Sequence, residues 1–223
     1  MANPAELLFD QLVEWNSAKH TASQARNDSK DLALHRRAIH NLNDINQLLR
    51  HMESLGKRVG VYKRTFPKWV QIVFRYPGGW QGTGTGKIDQ IDLDHLENLI
   101  DALDPFVPKL EPERFEDIDK YLSDVQSLLD EDDSLDTLTR ESAREAVSNV
   151  REALADFEKH GDFRTEKLFQ LLLGQLAYVT LRSSKRGKWK KVLDDFVVPY
   201  SVGQFPEISQ SGIVEAITQG GAG

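Results

Sequence analysis

Two short stretches of this 223-residue chain combine cations with aromatic rings. The first holds Lys57, Arg58, Tyr62, Lys63, Arg64, Phe66, Lys68, Trp69 and Arg75; the second holds Arg182, Lys185, Arg186, Lys188, Trp189, Lys190 and Lys191. Cations neutralise phosphates and rings stack on exposed bases, so either stretch carries the chemistry of nucleic-acid or anion binding. A structural reading stands beside it. Phe66 and Trp69 also suit a hydrophobic core, and the second stretch suits a basic connector that pairs with acidic residues of the same fold.

A second constellation lies in the acidic middle of the chain. Asp130, Asp132, Ser134 and Glu141 occupy positions one, three, five and twelve of a twelve-residue calcium loop flanked by predicted helices. The match is partial. Position six, where the sharp turn needs glycine, is Leu135, and positions eight and nine are Thr137 and Leu138. The competing expectation is a solvated acidic loop that caps the next helix.

Other chemistry finds less support. The stretch GGWQGTGTG at 78–86, followed by Lys87, is glycine-rich enough to approach a phosphate. Its spacing fits neither a P-loop nor a dinucleotide fingerprint, because Gln81, Ile88 and Lys87 stand where glycine, Ser/Thr and glycine are required. His35, His40 and His51 are five and eleven residues apart, which does not set two imidazoles on one helical face. There is no cysteine, no Gly-x-Ser-x-Gly elbow and no His-Glu-x-x-His. The motifs supply no positive reason to expect an enzyme, and no cofactor is expected.

Charge is unevenly distributed. The formal net charge is −7, but residues 1–90 carry 13 basic and 8 acidic side chains, 91–163 carry 7 and 22, and 164–223 carry 8 and 5. A block of −15 repels itself unless its own ends, water or a partner answers it. The first thirty residues lack a signal-peptide pattern, and the densest apolar stretch, Leu168 to Leu181, is broken by Gln170, Gly174 and Gln175. Neither a signal peptide nor a membrane span is expected, and the lack of cysteine points to a reducing, cytoplasmic setting.

The elements that must position these residues are mostly helical. Asn3-Pro4-Ala5-Glu6 is a capping-box start for a helix over Pro4–Trp15, and residues 16–29 read as loop or weak helix. Ala38, Leu42, Ile45, Leu49 and Met52 recur four and three apart, a helix-packing seam that Gly56 terminates. Within 58–76 the pattern permits a short β-hairpin or an extra helix, with helix favoured by its neighbours. Further helices are expected over Asp92–Leu103, Arg114–Leu129, Leu138–Lys159, Thr165–Arg182 and Lys188–Val197, the last ending before Pro199. The seam Ala143, Val147, Val150, Leu154, Phe157 and a stop at Gly161 make 138–182 an αα-hairpin.

The expected architecture is a mainly α multi-helix bundle. A net-basic helical region spans 1–77, a Gly-rich connector 78–90, an acidic bundle with a basic end 91–203, and a flexible tail with one turn of helix near Ile213–Ile217 fills 204–223. The expected function is a non-catalytic intracellular interaction protein, a subunit or regulator of a larger assembly that docks through helical, charge-complementary surfaces. The alternative is a nucleic-acid-associated accessory factor using 57–75 and 182–191. An enzyme assembled from dispersed residues would instead reveal itself by a deep pocket with convergent polar groups.

Overall fold

A computed structural model describes residues 2–26, 32–74 and 85–200, with side chains through Asp194. It forms two compact units, Met1–Val107 with Glu158–Phe163, and Pro108–Phe157 with Arg164–Gly223. The fold is mainly α, and no helix among the described residues is long and apolar enough to cross a membrane.

The first unit opens with α1 (Pro4–Trp15), whose Asn3 side chain accepts from the amides of Ala5 and Glu6. Leu8, Leu12 and Trp15 are buried, and α1 packs against α3 (Leu32–Ser54) and α5 (Gln90–Leu103). All five residues of the α3 seam are buried. The helix ends at a Schellman turn: Gly56 adopts φ 73°, its amide reaches Glu53 O, and the Lys57 amide reaches Met52 O.

Within 58–76 the described residues, through Phe74, favour the helix, α4 (Gly60–Phe74). Thr65, Trp69 and Val73 recur every fourth residue and are buried, so the helical period prevails over the alternation of Val70, Ile72 and Phe74. Pro67 lies inside this helix with its ring exposed.

Residues 16–26 differ from the loop or weak helix expected of them. They form a strand, β1 (Ser17–Thr21), and one turn, α2 (Ala22–Arg26). The strand pairs antiparallel with β2 (Thr85–Gly86), and the Asn16 side chain accepts from the Ile88 amide at 2.8 Å. Ser17–Thr21 has no apolar alternation to announce a strand, since its partner lies almost seventy positions away and supplies only two residues. Arg26 closes this corner. Its buried guanidinium donates to Ile72 O and Val73 O at 2.8 Å and lies 4.6 Å from the Trp15 ring centre, so one cation caps α4 and covers an indole.

The second unit contains α6 (Phe115–Glu131), α7 (Thr137–Ala155), the long limb of α8 (Phe157–Arg182) and α9 (Arg186–Tyr200). Their shared core includes Leu122, Val125 and Leu129 of α6, Val147 and Val150 of α7, Leu172, Leu176 and Val179 of α8, and Trp189 of α9. The α7 start and the α8 end line one groove, so the expected αα-hairpin runs antiparallel.

Two helix ends differ from expectation. The helix placed over Leu138–Lys159 breaks at Asp156 (φ −114°, ψ 38°), and Phe157 turns edge-on to Phe115 with ring centres 4.9 Å apart. The helix expected to stop at Val197 continues through Pro199 to Tyr200, where a proline in the last turn forfeits a single backbone hydrogen bond.

Gly161 does break α8, at φ 71° and ψ 174°. Residues 78–84 of the expected connector and the tail 204–223 lie outside the described residues. The helix α5, grouped from sequence with the acidic bundle, packs against α1 and α4.

Candidate functional site

The residues that spell a partial calcium loop perform a different task. Asp132 is fully buried. One carboxylate oxygen accepts from the Ser134 amide and hydroxyl at 3.2 and 2.6 Å, and the other accepts from the Ser183 hydroxyl at 2.5 Å and Trp189 Nε1 at 2.7 Å. Burial alone would raise this carboxyl, but the donors of Ser134, Ser183 and Trp189 outweigh it and hold the group at about 2.

Around this hub the end of α6 is clasped by cations. Arg140 donates to Asp132 O at 2.7 Å, Lys185 Nζ donates to Glu131 O, and Lys188 lies 3.6 Å from the Glu131 carboxylate. Each answers the negative end of the helix. Asp130 and Glu141 both hold Arg144, at 2.6 and 2.7 Å, and this pairing holds Asp130 below its ordinary value. The four residues therefore do not converge on one point, and among the described residues no group of three or more His, Asp or Glu side chains is arranged to hold a metal.

The second basic stretch is largely occupied by this clasp. Trp189 is fully buried and presents no ring face to a base. Arg182 donates to the Tyr178 hydroxyl at 3.1 Å and stacks over its ring, and Arg186 donates to Leu181 O at 3.3 Å. Lys190 and Lys191 are exposed and have no such partner among the described residues.

The first basic stretch is different. Lys57, Arg58, Lys63, Arg64 and Lys68 are all exposed, and Lys63 alone among them holds a carboxylate, Glu53 at 2.9 Å. Its aromatic residues are committed to packing. Trp69 is fully buried with Nε1 donating to Asp92 O at 2.8 Å, Phe66 meets Trp69 edge-on, and the Tyr62 hydroxyl donates to Asn98 O at 3.4 Å.

The histidines show the same structural use. His35 is buried and stacks on Trp15 with centres 4.7 Å apart, and His95 shares a 2.9 Å hydrogen bond with Thr65.

A surface that sequence reading missed lies along α7 and α8. A groove of about 560 Å³ is lined by Asp136, Leu138, Thr139, Ser142, Gln175, Tyr178 and Arg182. Asp136 caps α7 through Thr139, which lowers its carboxyl, and the nearby Arg182 charge adds to the effect. Of its lining, Leu138 and Tyr178 are exposed by 78 and 43%, and on the same helix as Tyr178 the side chains of Leu171 and Leu181 are exposed by 62 and 46%. The signal was present but ambiguous. The α8 limb is apolar around most of its circumference, so residues on its outer face read as core.

Elsewhere in this unit a recess of about 50 Å³ beside Leu110, Phe115 and Phe169 is large enough for little more than a water or two. Burial raises the Glu166 carboxyl on α8, whose only described donor is Gln170 at 3.2 Å.

No protein-family model, curated protein or solved structure matches this chain.

Proposed function

We propose that this chain is a non-catalytic helical interaction protein that docks an amphipathic helix of a partner protein on the α7–α8 surface. The observation that carries this reading is the exposed apolar side chains Leu171, Tyr178 and Leu181 of α8, with Tyr178 and Leu138 of α7 lining a groove. Single exposed apolar residues are ordinary, but a grouped set bordering a groove is the usual mark of a binding surface. Leu171, Tyr178 and Leu181 follow helical spacing on one face, which suits a partner presenting apolar residues every third or fourth position.

Charge narrows the occupant. Arg182 lines the groove at the end of α8, and Arg186 at the start of α9 reaches back to Leu181 O, so the partner helix carries acidic residues on the flank that meets them. The cysteine-free composition supports a cytoplasmic setting for this role, as a subunit or regulator of an assembly.

Site-specific photocrosslinking tests the reading. A benzophenone side chain at Leu138 or Leu171 in the native cell is expected to trap one discrete protein adduct, and the same group at Asp117 on α6 is expected to trap none. With the probe at Leu138, L171D should abolish the adduct while changing stability by no more than about 0.5 kcal/mol, as expected of an exposed position. Absence of an adduct at both positions, or equal trapping from Asp117, would count decisively against it.

A further inference from the structure

From Ser54 to Ile88 the chain contains 35 consecutive residues without an Asp or Glu, yet it carries Lys57, Arg58, Lys63, Arg64, Lys68, Arg75 and Lys87. In a protein with 35 acids among 223 residues, about five would be expected in such a run. The structure turns the cations of its described part outward. Arg64 and Lys68 lie four residues apart on the exposed face of α4, and the exposed Lys57 and Arg58 lead into the helix.

Fold stability does not explain all of these charges. Lys57 and Arg58 follow the end of α3, where cations are favourable, and Lys63 holds Glu53. Arg64, by contrast, lies past the first turn of α4, which has no acidic residue, so neither the helix dipole nor a neighbouring acid in that turn accounts for its charge. Lys68 lies close enough to Asp92 to lower that carboxyl, against the larger upward effects of burial and Asp89. Among the described residues, no carboxylate contacts Lys57, Arg58 or Arg64.

The occupant can be narrowed from the same face. A bilayer would need a continuous apolar face turned outward; α4 exposes Val61 and Phe74, at 45 and 36%, but these stand at opposite ends of the helix, and Trp69 and Val73 are turned into the core. A protein partner would want an aromatic or aliphatic anchor at the centre of the patch, and the centre here is Arg64, Pro67, Lys68 and Gln71, with the half-exposed Val61 only at its edge. A single strand would want rings to stack on, and Tyr62, Phe66 and Trp69 are engaged in packing. What remains is a short cationic row, with Arg64 and Lys68 about 6 Å apart along α4 and Lys57 and Arg58 ahead of its start, and that step is about two phosphates along one strand of a duplex.

We propose that Lys57, Arg58, Arg64 and Lys68 bind the phosphate backbone of duplex nucleic acid without reading its bases. This surface is independent of the α7–α8 docking surface, so either can fail without the other.

The test is fluorescence anisotropy of the full chain with two labelled 20-base-pair duplexes of unrelated sequence, between 20 and 200 mM NaCl. The two are expected to bind within about twofold of each other, with log K falling against log salt at a slope of about −3 to −4 for four phosphate contacts. The variant K57Q/R58Q/R64Q/K68Q should lose at least tenfold in affinity at 50 mM salt and most of that slope, with its circular dichroism and melting temperature preserved. R64Q/K68Q, a milder change, should fall between it and the wild type, and K190Q/K191Q on α9 should bind as the wild type does. No binding at 20 mM salt would overturn the proposal. So would an undiminished affinity in the two α4 variants, or tighter binding to a dT20 strand, to polyglutamate or to vesicles containing phosphatidylserine.

Discussion

Asp132 shows how one side chain can organise a fold that its neighbours in sequence do not explain. Its four donors come from Ser134, two positions away, and from Ser183 and Trp189, 51 and 57 positions away. An unfolded chain titrates this carboxyl near 3.8, whereas the folded chain holds it to about 2. Between those values the unfolded state binds the proton and the folded state does not. The stabilisation is therefore complete above roughly pH 5 and is lost as pH falls through about 2. Replacing the carboxylate by an amide keeps the shape but aims an NH2 group at one of two sets of buried donors. D132N is expected to lower unfolding free energy by about 2–4 kcal/mol at pH 7, measured by urea denaturation. The gap between wild type and variant should narrow as the pH drops from 5 toward 2.5. A gap that stays constant over that range would mean that the carboxylate charge contributes nothing there.

At the scale of elements, the decisive positions are those where helices stop. Gly56 and Gly161 both adopt positive φ, 73° and 71°, but their surroundings differ. A Cβ added at Gly56 meets nothing within 4 Å, so G56A should cost about 1–2 kcal/mol from backbone strain alone. At Gly161, ψ is 174°, a region reserved for glycine, and an added Cβ would lie 2.5 Å from Ala2 O and 2.9 Å from Leu7 Cδ1. G161A should therefore cost at least about 1 kcal/mol more than G56A by thermal or chemical denaturation. Equal losses would show that the start of α1 moves aside freely. Both stops were legible in the sequence, as were the Asn3 cap and the α3 seam, because each depends on residues within a few positions of one another. The strand Ser17–Thr21 was not legible, since its pairing and the Asn16 bond to Ile88 join segments far apart in the chain. The role of Asp132 was hidden for the same reason. Local spacing suggested a cation ligand, and only distant Ser183 and Trp189 reveal a staple. The α7–α8 face was obscured differently: periodicity identifies apolar residues but not which of them the fold leaves uncovered.

For the whole molecule, the question is what answers the acidic block at 91–163. Part of the answer is intramolecular. Arg144 bridges Asp130 and Glu141, Arg151 lies 3.1 Å from Asp119, and Lys188 reaches Glu131. These pairs are mostly exposed, and pairs of that kind contribute little, about 0–1 kcal/mol each. Glu116, Asp117, Asp124, Asp133, Glu145 and Glu152 are exposed and form no ion pair among the described residues, so the described part of the second unit carries a substantial unrelieved negative field. Repulsion within such a field acts over longer distances than contact pairs do, and it is screened first when the Debye length shrinks to about 10 Å at 0.1 M salt. Raising NaCl from 20 to 200 mM should therefore raise the melting temperature by a few degrees, because screening relieves more repulsion than it removes attraction. A fall in melting temperature would mean that the bridges of Arg144 and Arg151 dominate instead. The same change of salt is expected to weaken duplex binding at α4, where the relevant force is attraction between Lys57, Arg58, Arg64 and Lys68 and the phosphates. The two surfaces thus respond to salt with opposite sign. A loss of binding in high salt accompanied by a stable or rising melting temperature separates an electrostatic interface from a chain that is simply unfolding.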